Sequence, residues 1–207
     1  MTPLKLDKRG SAARIRAAAR TLFLERGYGA TSMDAVAAAA PVSKRTLYQY
    51  YPGKADLFAA VIAEVWSFFT EAPLLPDTAQ GDPRPVLRAY VDRLIAHWEQ
   101  PEVIGLLSLI IAEAPRFPEL SPAYFQAGKL QVTSRLAAYF ALLQQAGHIA
   151  DDADPALVAA QFLGAIKEPL FWPRVLGGSI GFAVEAVVER ALAGVLGPAP
   201  NARADQV

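Results

Sequence analysis

The sequence predicts an all-α fold in which a small N-terminal helix-turn-helix domain precedes a larger helical domain. Three observations lead to this prediction. Apolar residues recur at the 3.6-residue spacing of amphipathic helices along most of the chain. No stretch of useful length shows the strict apolar and polar alternation of a half-buried strand. With 207 residues, of which 53% are hydrophobic, the chain is long enough to bury a sizeable core.

Composition excludes several other classes of protein. The chain has no cysteine, which excludes disulfides, thiol catalysis and cysteine-based metal sites. The longest apolar run, near residues 103–112, is shorter than the roughly 18 residues that cross a bilayer. The N-terminus has basic residues but lacks the apolar segment of a signal peptide. We therefore expect a cytoplasmic protein that has no membrane partner.

The two parts of the chain carry opposite charge, although the net charge is zero. Residues 1–57 hold 10 Lys and Arg against 4 Asp and Glu, whereas residues 58–207 hold 10 against 16. A basic surface attracts phosphate groups, so the N-terminal part suits nucleic acid and the acidic remainder does not. Because the basic part coincides with the predicted helix-turn-helix, the distribution favours DNA binding over a chance clustering of surface charge.

The first helix is predicted to begin after Ser11 and to end at Gly27. Ser11 is a suitable N-cap, and apolar residues such as Ile15 and Leu22 follow it at helical spacing. Gly27 is a typical residue to end a helix. We expect the apolar face of this helix to supply the core beneath the helix-turn-helix.

Two short helices with a sharp turn between them are predicted between residues 30 and 51. Thr31 and Ser32 can each cap the first of these helices. Pro41 cannot lie in a helix interior, so the chain is expected to turn there and to restart as a second helix after Ser43, a good N-cap. This arrangement is typical of a helix-turn-helix.

The second of these helices presents polar side chains on one side. Leu47 and Tyr51 are four residues apart and are expected to face the core. Two cations at the positive end of the helix dipole weaken an isolated helix, which indicates that they serve an anionic partner. Lys and Arg recognise guanine and Gln recognises adenine in the major groove, which the second helix of a helix-turn-helix enters. The residues predicted to enter the groove are Lys44, Arg45, Tyr48 and Gln49.

The same region resembles the N-terminal signature of the TetR family of transcriptional regulators, without a break from about residue 15 to residue 58. The resemblance implies a homodimer that binds a palindromic operator in double-stranded DNA, most often as a repressor. It also implies that a helix beginning at Lys54 joins the two domains and that Lys54 holds a phosphate. The runs that carry the resemblance are residues 27–33, 41–44, 46–48, 50–51 and 54–58. The hydroxyl groups expected at other phosphates are those of Thr31, Ser32, Ser43 and Tyr50.

One residue departs from the family pattern. The family usually has Gly in the turn between the two helices, where this chain has Pro41. Gly permits a positive φ, whereas Pro is held near about −65°, so we expect the turn to follow another backbone path. The tilt of the second helix, and with it the operator preference, would then differ from that of relatives.

Behind a DNA-binding domain of residues 1–53, residues 54–207 are predicted to form one helical domain. Pro and Gly separate its helices, and Asp-Pro and Pro-Glu pairs begin several of them. The runs 114–120, 136–140 and 162–170 resemble the C-terminal domain of AefR-like members of the TetR family. The predicted helices cover about residues 54–70, 83–100, 101–114, 123–146, 155–176 with a kink near Pro169 and Pro173, and 179–196 with Ser179 as its N-cap.

The last two predicted helices are apolar over so much of their circumference that each needs cover on more than one side. In relatives the corresponding pair forms a four-helix dimer interface, and the resemblance implies the same use here. Two recognition helices about 34 Å apart would then meet successive major grooves of a palindrome. The alternative is that both faces lie in the core of a monomer. The residues predicted at the interface are Leu157, Phe162, Ile166, Val184 and Val188.

Aromatic residues are frequent in the acidic part, where such residues more often form core than a binding site. The resemblance nevertheless implies a pocket for a small apolar or amphipathic effector, which would release the protein from its operator. No cofactor or metal is predicted, because two isolated histidines make a metal site unfavourable. The residues predicted to line the pocket are Trp66, Phe69, Trp98, Glu113, Tyr124, Phe125 and Lys167.

Two other functions compete with this interpretation. Residues 177–181 fit the G-x-S-x-G pattern of a nucleophile elbow, which requires a preceding strand and a later histidine. Both histidines, His97 and His148, precede Ser179 and the surroundings are predicted helical, so a helix break is favoured and no catalytic residue is assigned. The second alternative is a DNA-binding dimer whose larger domain has a filled core and binds no effector.

Overall fold

The computed structural model describes residues 8–70 and 75–197, with the side chains of residues 10–67 and 75–197. Every regular element in those ranges is a helix, so the all-α prediction is confirmed. No single helix within them is long and apolar enough to cross a membrane, although α5 and α6 pass that test together as a bent pair. The elements are α1 (Lys8–Arg26), α2 (Met33–Ala39), α3 (Lys44–Tyr50), α4 (Lys54–Thr70), α5 (Arg84–Trp98), α6 (Pro101–Glu113), α7 (Leu120–Tyr124), a π-helical turn (Phe125–Lys129), α8 (Leu130–Gln145), α9 (Pro155–Leu170), α10 (Trp172–Val175) and α11 (Val184–Leu196).

The chain divides into two compact units. The first unit contains the described residues up to Phe68 together with Gly105–Lys129, and the second contains Phe69–Ile104 and the described residues from Leu130 onward. The predicted division into domains of residues 1–53 and 54–207 stays a prediction about sequence domains. The units are defined by packing, and most of α4 and the segment 105–129 pack with the N-terminal helices.

The core of the first unit is built around three aromatic rings. Phe23 of α1, Tyr28 of the following turn and Phe58 of α4 have ring centroids 5.3 to 5.6 Å apart, with both Phe58 contacts edge-on. Ile15 and Leu47 of the same unit are also fully buried. Aromatic pairs in such geometry contribute about 1 kcal/mol each beyond their burial, which favours one fixed arrangement of the rings.

Helix α1 ends as predicted but begins earlier than predicted. Gly27 has φ of +84°, the left-handed conformation with which glycine ends a helix. At the other end, α1 already begins at Lys8. Ser11 is therefore not its N-cap: the side chain is 2% exposed, faces the core and accepts a hydrogen bond from the Arg14 guanidinium. The prediction that the helix starts after Ser11 is wrong because this serine is an inward-facing helical position.

Both predicted caps of the helix-turn-helix are present. The Ser32 hydroxyl oxygen accepts a hydrogen bond from Ala35 N at 3.1 Å and caps α2. The Ser43 oxygen accepts one from Thr46 N at 3.1 Å and caps α3. Each bond satisfies a backbone donor that the first turn of a helix leaves free. Cap chemistry thus fixes where both short helices begin.

The turn after α2 corrects the prediction made for Pro41. Its φ is +20°, far from the value of about −65° that the ring prefers. Val42 N still donates to Ala37 O at 3.1 Å, which is the outer hydrogen bond of a glycine-type helix end. Pro41 therefore occupies the position that glycine normally takes there, without the N–H that would complete the motif. The turn keeps this path at the expense of strain at the proline.

The second unit is held mainly by apolar packing of α9 against α8 and α11. Helix α10 packs on α9, and α5 packs on α11. Phe140 of α8 and Phe162 of α9 are buried, and their rings meet edge-on with centroids 5.7 Å apart. On the surface, Arg88 of α5 binds the carboxylates of Glu185 and Glu189 on α11. The buried faces provide the stability, and the ion pairs add an exposed link between two helices.

Two helix boundaries after residue 114 differ from the prediction. Helical structure starts at Leu120 rather than at residue 123 and passes through a π-helical turn before α8. The last helix starts at Val184 with Ala183 as N-cap, so the prediction that Ser179 caps it is wrong. Gly177, with φ of +71°, follows the end of the preceding helical segment as predicted, and an irregular stretch then extends to α11. The predicted break near Pro169 is confirmed, because α9 ends at Leu170.

Candidate nucleic-acid interface

Helix α3 presents four polar side chains from an exposed face while its opposite side is buried. Leu47 is 0% exposed and Tyr51, just past the helix, is 8% exposed, as the predicted core-facing pair. The exposed face can offer a cation pair, an amide and a phenol to one partner from two turns of helix. The exposed residues are those predicted to enter the groove, Lys44, Arg45, Tyr48 and Gln49.

One of these cations already has a partner in the free protein. Lys44 Nζ donates to Asp34 Oδ2 of α2 at 2.7 Å. The hydrogen bond and the negative charge of Asp34 raise the pKa of Lys44, so it stays cationic at neutral pH. Both side chains are well exposed, and an exposed pair of this kind is weak. Lys44 can therefore exchange Asp34 for a stronger anionic or polar acceptor.

The hydroxyl groups predicted at phosphates fall into different positions. Ser32 and Ser43 are exposed, and each uses its oxygen as a cap acceptor. Tyr50 is half-buried, with its ring 6.3 Å from that of Tyr51. Phosphate contacts by these three residues stay predictions. Thr31 is different: its side chain is 1% exposed and its hydroxyl lies 2.8 Å from Gly27 O and 3.1 Å from Leu22 O.

The prediction for Thr31 is therefore wrong. A hydroxyl has one hydrogen to donate, and that of Thr31 is directed at the carbonyl groups which end α1. The side chain closes the end of α1 inside the core instead of facing solvent, so it cannot reach a phosphate. Sequence alone does not separate Thr31 from Ser32, because both residue types are favourable N-caps.

Lys54, at the start of α4, lies against the turn between α1 and α2. Its Nζ donates to Tyr28 O at 2.8 Å and to Thr31 O at 3.1 Å, and it sits 4.3 Å from the centroid of the Tyr28 ring. Burial lowers the pKa of Lys54, while the carboxylates of Glu113 and Glu119 act in the opposite direction. One of its three donors is not used in these two bonds, so the predicted phosphate contact stays a prediction.

Two acidic side chains also contact this turn, a contact that was not predicted from the sequence. Glu113, at the end of α6, accepts hydrogen bonds from Tyr28 N and from Gly29 N, each at 2.7 Å. The Tyr28 hydroxyl donates to Glu119 at 3.0 Å, and both its burial and this bond raise the pKa of Tyr28. Glu113 was predicted to line an effector pocket, and this is corrected: both of its oxygens bind the backbone of the turn.

Family models match both parts of the chain. The model described as bacterial regulatory proteins, tetR family, matches residues 15–61, which contain the helix-turn-helix. The model described as the AefR-like transcriptional repressor, C-terminal domain, matches residues 85–196, more than half of the chain. The chain belongs to the TetR family. Both resemblances predicted from the residues are thereby confirmed.

Relatives within the TetR family and solved structures agree with this assignment. The flavonoid-responsive regulator FrrA is 33% identical, with a TM-score of 0.72, and the match covers 89% of this chain and 92% of that chain. A TetR-family regulator from Mesorhizobium loti is 27% identical, with a TM-score of 0.68, over 92% of this chain and 98% of that chain. The HTH-type transcriptional repressor SCO4008 of Streptomyces coelicolor is 32% identical over 103 residues, 49% of this chain. The chain spans half the length of that curated relative.

The residues predicted to line an effector pocket in this TetR-family protein belong to both units. In the first unit, Trp66 meets Tyr124 edge-on at 5.9 Å, and Tyr124 meets Phe125 at 5.6 Å. In the second unit, Trp98 packs against Phe171 at 5.0 Å, and Lys167 Nζ lies 4.8 Å from the same ring. The side chain of Phe69 lies outside the described residues. An effector contact by these residues, apart from Glu113, stays a prediction.

Three of the five predicted interface residues are wrong. Phe162, Ile166 and Val188 are 0 to 1% exposed within their own chain, because they form the contact of α9 with α8 and α11. A side chain enclosed in its own unit cannot reach a partner. Leu157 is 55% exposed and Val184 is half-buried, so both remain available as predicted. Apolar spacing alone does not separate the inner from the outer stripe of a helix that is apolar on both.

A groove that the sequence analysis did not predict lies in the second unit. It has a volume of about 360 Å³ and is bordered by α9, α11 and the turn before α9. Phe162 is among the residues that line it, and Gln161 and Arg190 are the lining residues with polar side chains. None of the residues predicted for the effector pocket lines it. Five of its eleven lining residues are small, and their spacing carries no signal that could be read from the sequence: Ala150, Ala153, Ala165, Ala191 and Gly194.

The G-x-S-x-G run does not have the setting of a nucleophile elbow. It follows α10, a helix that ends at Val175, and it precedes α11 by several irregular residues. A nucleophile elbow is a tight turn between a strand and a helix, and the run around Ser179 has no strand before it within residues 75–197. The local structure therefore supports the helix-break interpretation of this run.

Proposed function

We propose that the protein is a transcriptional repressor that binds a palindromic operator as a homodimer and leaves it when a small apolar or amphipathic effector binds. The observation that carries the proposal is the exposed face of α3, where Lys44, Arg45, Tyr48 and Gln49 stand on a helix fixed by its Ser43 cap and buried Leu47. A short helix with this face enters the major groove in helix-turn-helix proteins.

The repressor assignment follows the relatives. The matching C-terminal model is described as that of a transcriptional repressor, and SCO4008 is named as one. DNA binding itself draws on the positive charge of residues 1–57, which exceeds the negative charge by 6. Lys44 and Arg45 are expected to read base edges, whereas Ser32, Ser43, Tyr50 and Lys54 are expected to contact phosphates and to set the position of α3.

The homodimer is proposed to form through the outer faces of α9 and α11. Leu157, Ala160 and Gly164 follow one another along the exposed side of α9, and Ala186 and Gly194 are exposed on α11. Small and apolar residues on adjacent exposed faces allow two helix pairs to approach closely. Two copies of the chain joined in this way would present two α3 helices to one palindrome.

The effector is proposed to be a small aromatic or amphipathic molecule. FrrA is by description flavonoid-responsive, and its match covers nearly all of both chains. An effector lowers operator affinity only by the difference between its own affinities for the two conformers, so a flavonoid that binds equally to both would not act. Adding a panel of small apolar and amphipathic compounds, flavonoids among them, to the protein–operator complex tests this part, and unchanged operator affinity across the whole panel would refute it.

Selection of bound duplexes from a random pool at low ionic strength tests the DNA-binding part. We expect enrichment of one palindrome. Replacement of Lys44 or Arg45 by Ala should then change the preferred bases, since one good bidentate base contact is worth about 1–3 kcal/mol. Arg26→Ala, which removes an exposed cation from the end of α1, is the matched control and should lower affinity evenly across sequences. Failure of the protein to enrich any duplex would contradict the proposal.

A further inference from the structure

Three side chains from the end of α6 and the segment after it converge on the turn between α1 and α2, residues 27–31. These are Glu113, Phe117 and Glu119, all within the first compact unit. They belong to the run that was matched to the C-terminal family model, not to the helix-turn-helix model. The turn between α1 and α2 is therefore contacted by residues about 85 positions further along the chain.

The backbone of this turn is held from both of its polar sides by charged groups. The Glu113 carboxylate accepts from the N–H groups of Tyr28 and Gly29 with one oxygen each, at 2.7 Å. The Lys54 ammonium donates to the carbonyl groups of Tyr28 and Thr31, at 2.8 and 3.1 Å. Hydrogen bonds with one charged partner are stronger than neutral ones. These four bonds therefore fix the turn more firmly than neutral backbone hydrogen bonds within the turn would.

The shape of the turn fits the same segment closely. A Cβ atom at Gly27 would lie 2.5 Å from Glu113 Oε1, and one at Gly29 would lie 3.0 Å from the Phe117 ring. The Tyr28 ring meets Phe117 edge-on at 5.1 Å, and its hydroxyl reaches Glu119. The two glycines allow the carboxylate and the ring to approach the backbone directly. The contact is thus specific in both shape and charge.

We propose that Glu113 is a positioning residue for DNA binding, which holds the turn that sets the start of α2 and therefore the placement of α3. This rests on the proposed DNA-binding function. Ser32, the N-cap of α2, directly follows the turn, and α2 packs on α3. When the carboxylate is lost, two N–H groups lose their acceptor, Lys54 loses a nearby negative charge, and the start of α2 is no longer fixed relative to α4.

The overall electrostatic field and the proposed positioning role predict opposite changes in DNA affinity when Glu113 loses its charge. Removal of a negative charge from a DNA-binding unit should raise its affinity for DNA if the charge acts only through the overall field. If Glu113 positions the turn, the same removal should lower affinity. The number of phosphate contacts is unchanged in either case, so the dependence of affinity on salt should keep the slope of the wild type.

The test uses the 207-residue chain, its selected duplex and three variants. Glu113→Gln should weaken operator binding about tenfold or more, the equivalent of one lost charged hydrogen bond, with an unchanged salt slope. Amide hydrogen exchange should show that Tyr28 and Gly29 lose protection in this variant while the buried helices keep theirs. Glu102→Gln removes the same charge from the other end of α6 and should bind DNA at least as tightly as the wild type.

Glu113→Asp keeps the charge but shortens the reach, and it serves if Glu113→Gln does not fold. It should also weaken operator binding and release at least one of the two amides. The proposal is overturned if a folded variant, Gln or Asp, frees the amides of Tyr28 and Gly29 and still binds the operator as tightly as the wild type. It is equally overturned if those amides are unprotected in the wild-type protein. Failure of the wild type to bind any duplex would instead count against the proposed function.

Discussion

The turn beneath the helix-turn-helix and the α9–α11 pair are stabilised by different interactions. Helices α2 and α3 have seven residues each, and hydroxyl caps and charged hydrogen bonds fix where they begin. Helices α9 and α11 have 16 and 13 residues and are held by buried apolar faces. A seven-residue helix is unstable alone and buries little surface, so specific polar atoms must position it. The proposed DNA contact of the first region therefore depends on particular polar atoms, whereas the proposed dimer contact of the second depends on the shape of a surface.

The variant with the largest expected effect tests the exposed surface of α9. No atom lies within 4 Å of a Cβ added to Gly164, so the chain itself tolerates a side chain there. Gly164→Arg would place a charge in the middle of the proposed dimer face, at a cost of about 3 kcal/mol or more when buried without a partner. We expect sedimentation to show a monomer for this variant and a dimer for the wild type. Ala138→Arg, at an exposed position of α8, should leave the dimer intact.

An unchanged molecular mass for Gly164→Arg would show that the exposed face of α9 is not part of an interface. The proposed dimer would then need another surface, although the proposed role of α3 in reading DNA would be unaffected.

The second effect concerns a buried polar residue in the core of the second unit. His97 is 0% exposed, and burial lowers its pKa from 6.5 to about 4. Between these values the unfolded chain binds a proton that the folded protein excludes. The free energy of unfolding should therefore fall as the pH drops from 6.5 towards 4, by at most about 3 kcal/mol, and this contribution is fully present above 6.5.

Denaturant unfolding of wild type and His97→Leu across this pH range measures that contribution. Other groups also titrate there, so the difference between the two proteins is the relevant quantity. The difference in the free energy of unfolding between the two proteins should change by about several tenths of a kcal/mol or more per pH unit. Parallel curves for the two proteins would show that His97 is not kept neutral by burial.

A smaller effect is expected at the cap of α3. Ser43→Ala removes the acceptor for Thr46 N and should lower the free energy of unfolding by about 1 kcal/mol. Ser134→Ala, at an exposed position inside α8, is the control and should be neutral or slightly stabilising. Thermal unfolding compares the two. Equal stability of both variants would mean that α3 does not depend on its cap.

The smallest effect is expected at Pro41. Its φ of +20° is unfavourable for a proline, so Pro41→Gly should raise the free energy of unfolding by about 0.5 kcal/mol, once the greater freedom of the unfolded glycine is subtracted. Pro52→Gly has no such strain to relieve and should lower it. A loss of stability in both variants would show that the turn after α2 accepts proline without strain.

The first region was largely predictable because polar residues at caps have few other uses. Ser32 and Ser43 lie where a helix must begin, and Leu47 has the spacing of a buried position, so α2, α3 and the exposed face of α3 follow from the sequence. Thr31 was misassigned because two adjacent hydroxyl residues are equally good caps. The contact of Glu113 with Tyr28 N spans 85 residues, and no local pattern indicates such a partner.

The second region was less predictable because apolar residues serve a core and an interface equally well. Helical spacing identified α9, but it could not distinguish Phe162, which packs on Phe140, from Leu157, which is exposed. The false start of the last helix at Ser179 has a related cause. A serine after two glycines has the signature of a cap whether or not the chain continues as a helix.

Binding of the selected duplex and of a scrambled duplex by the wild type and by a Lys44→Ala, Arg45→Ala double variant, over a range of salt concentrations, tests the central claim most directly. We predict that the wild type prefers the selected duplex strongly. The double variant should bind both duplexes alike, with only salt-dependent attraction to phosphate remaining. A double variant that still distinguishes the two duplexes would contradict the claim that α3 reads the DNA.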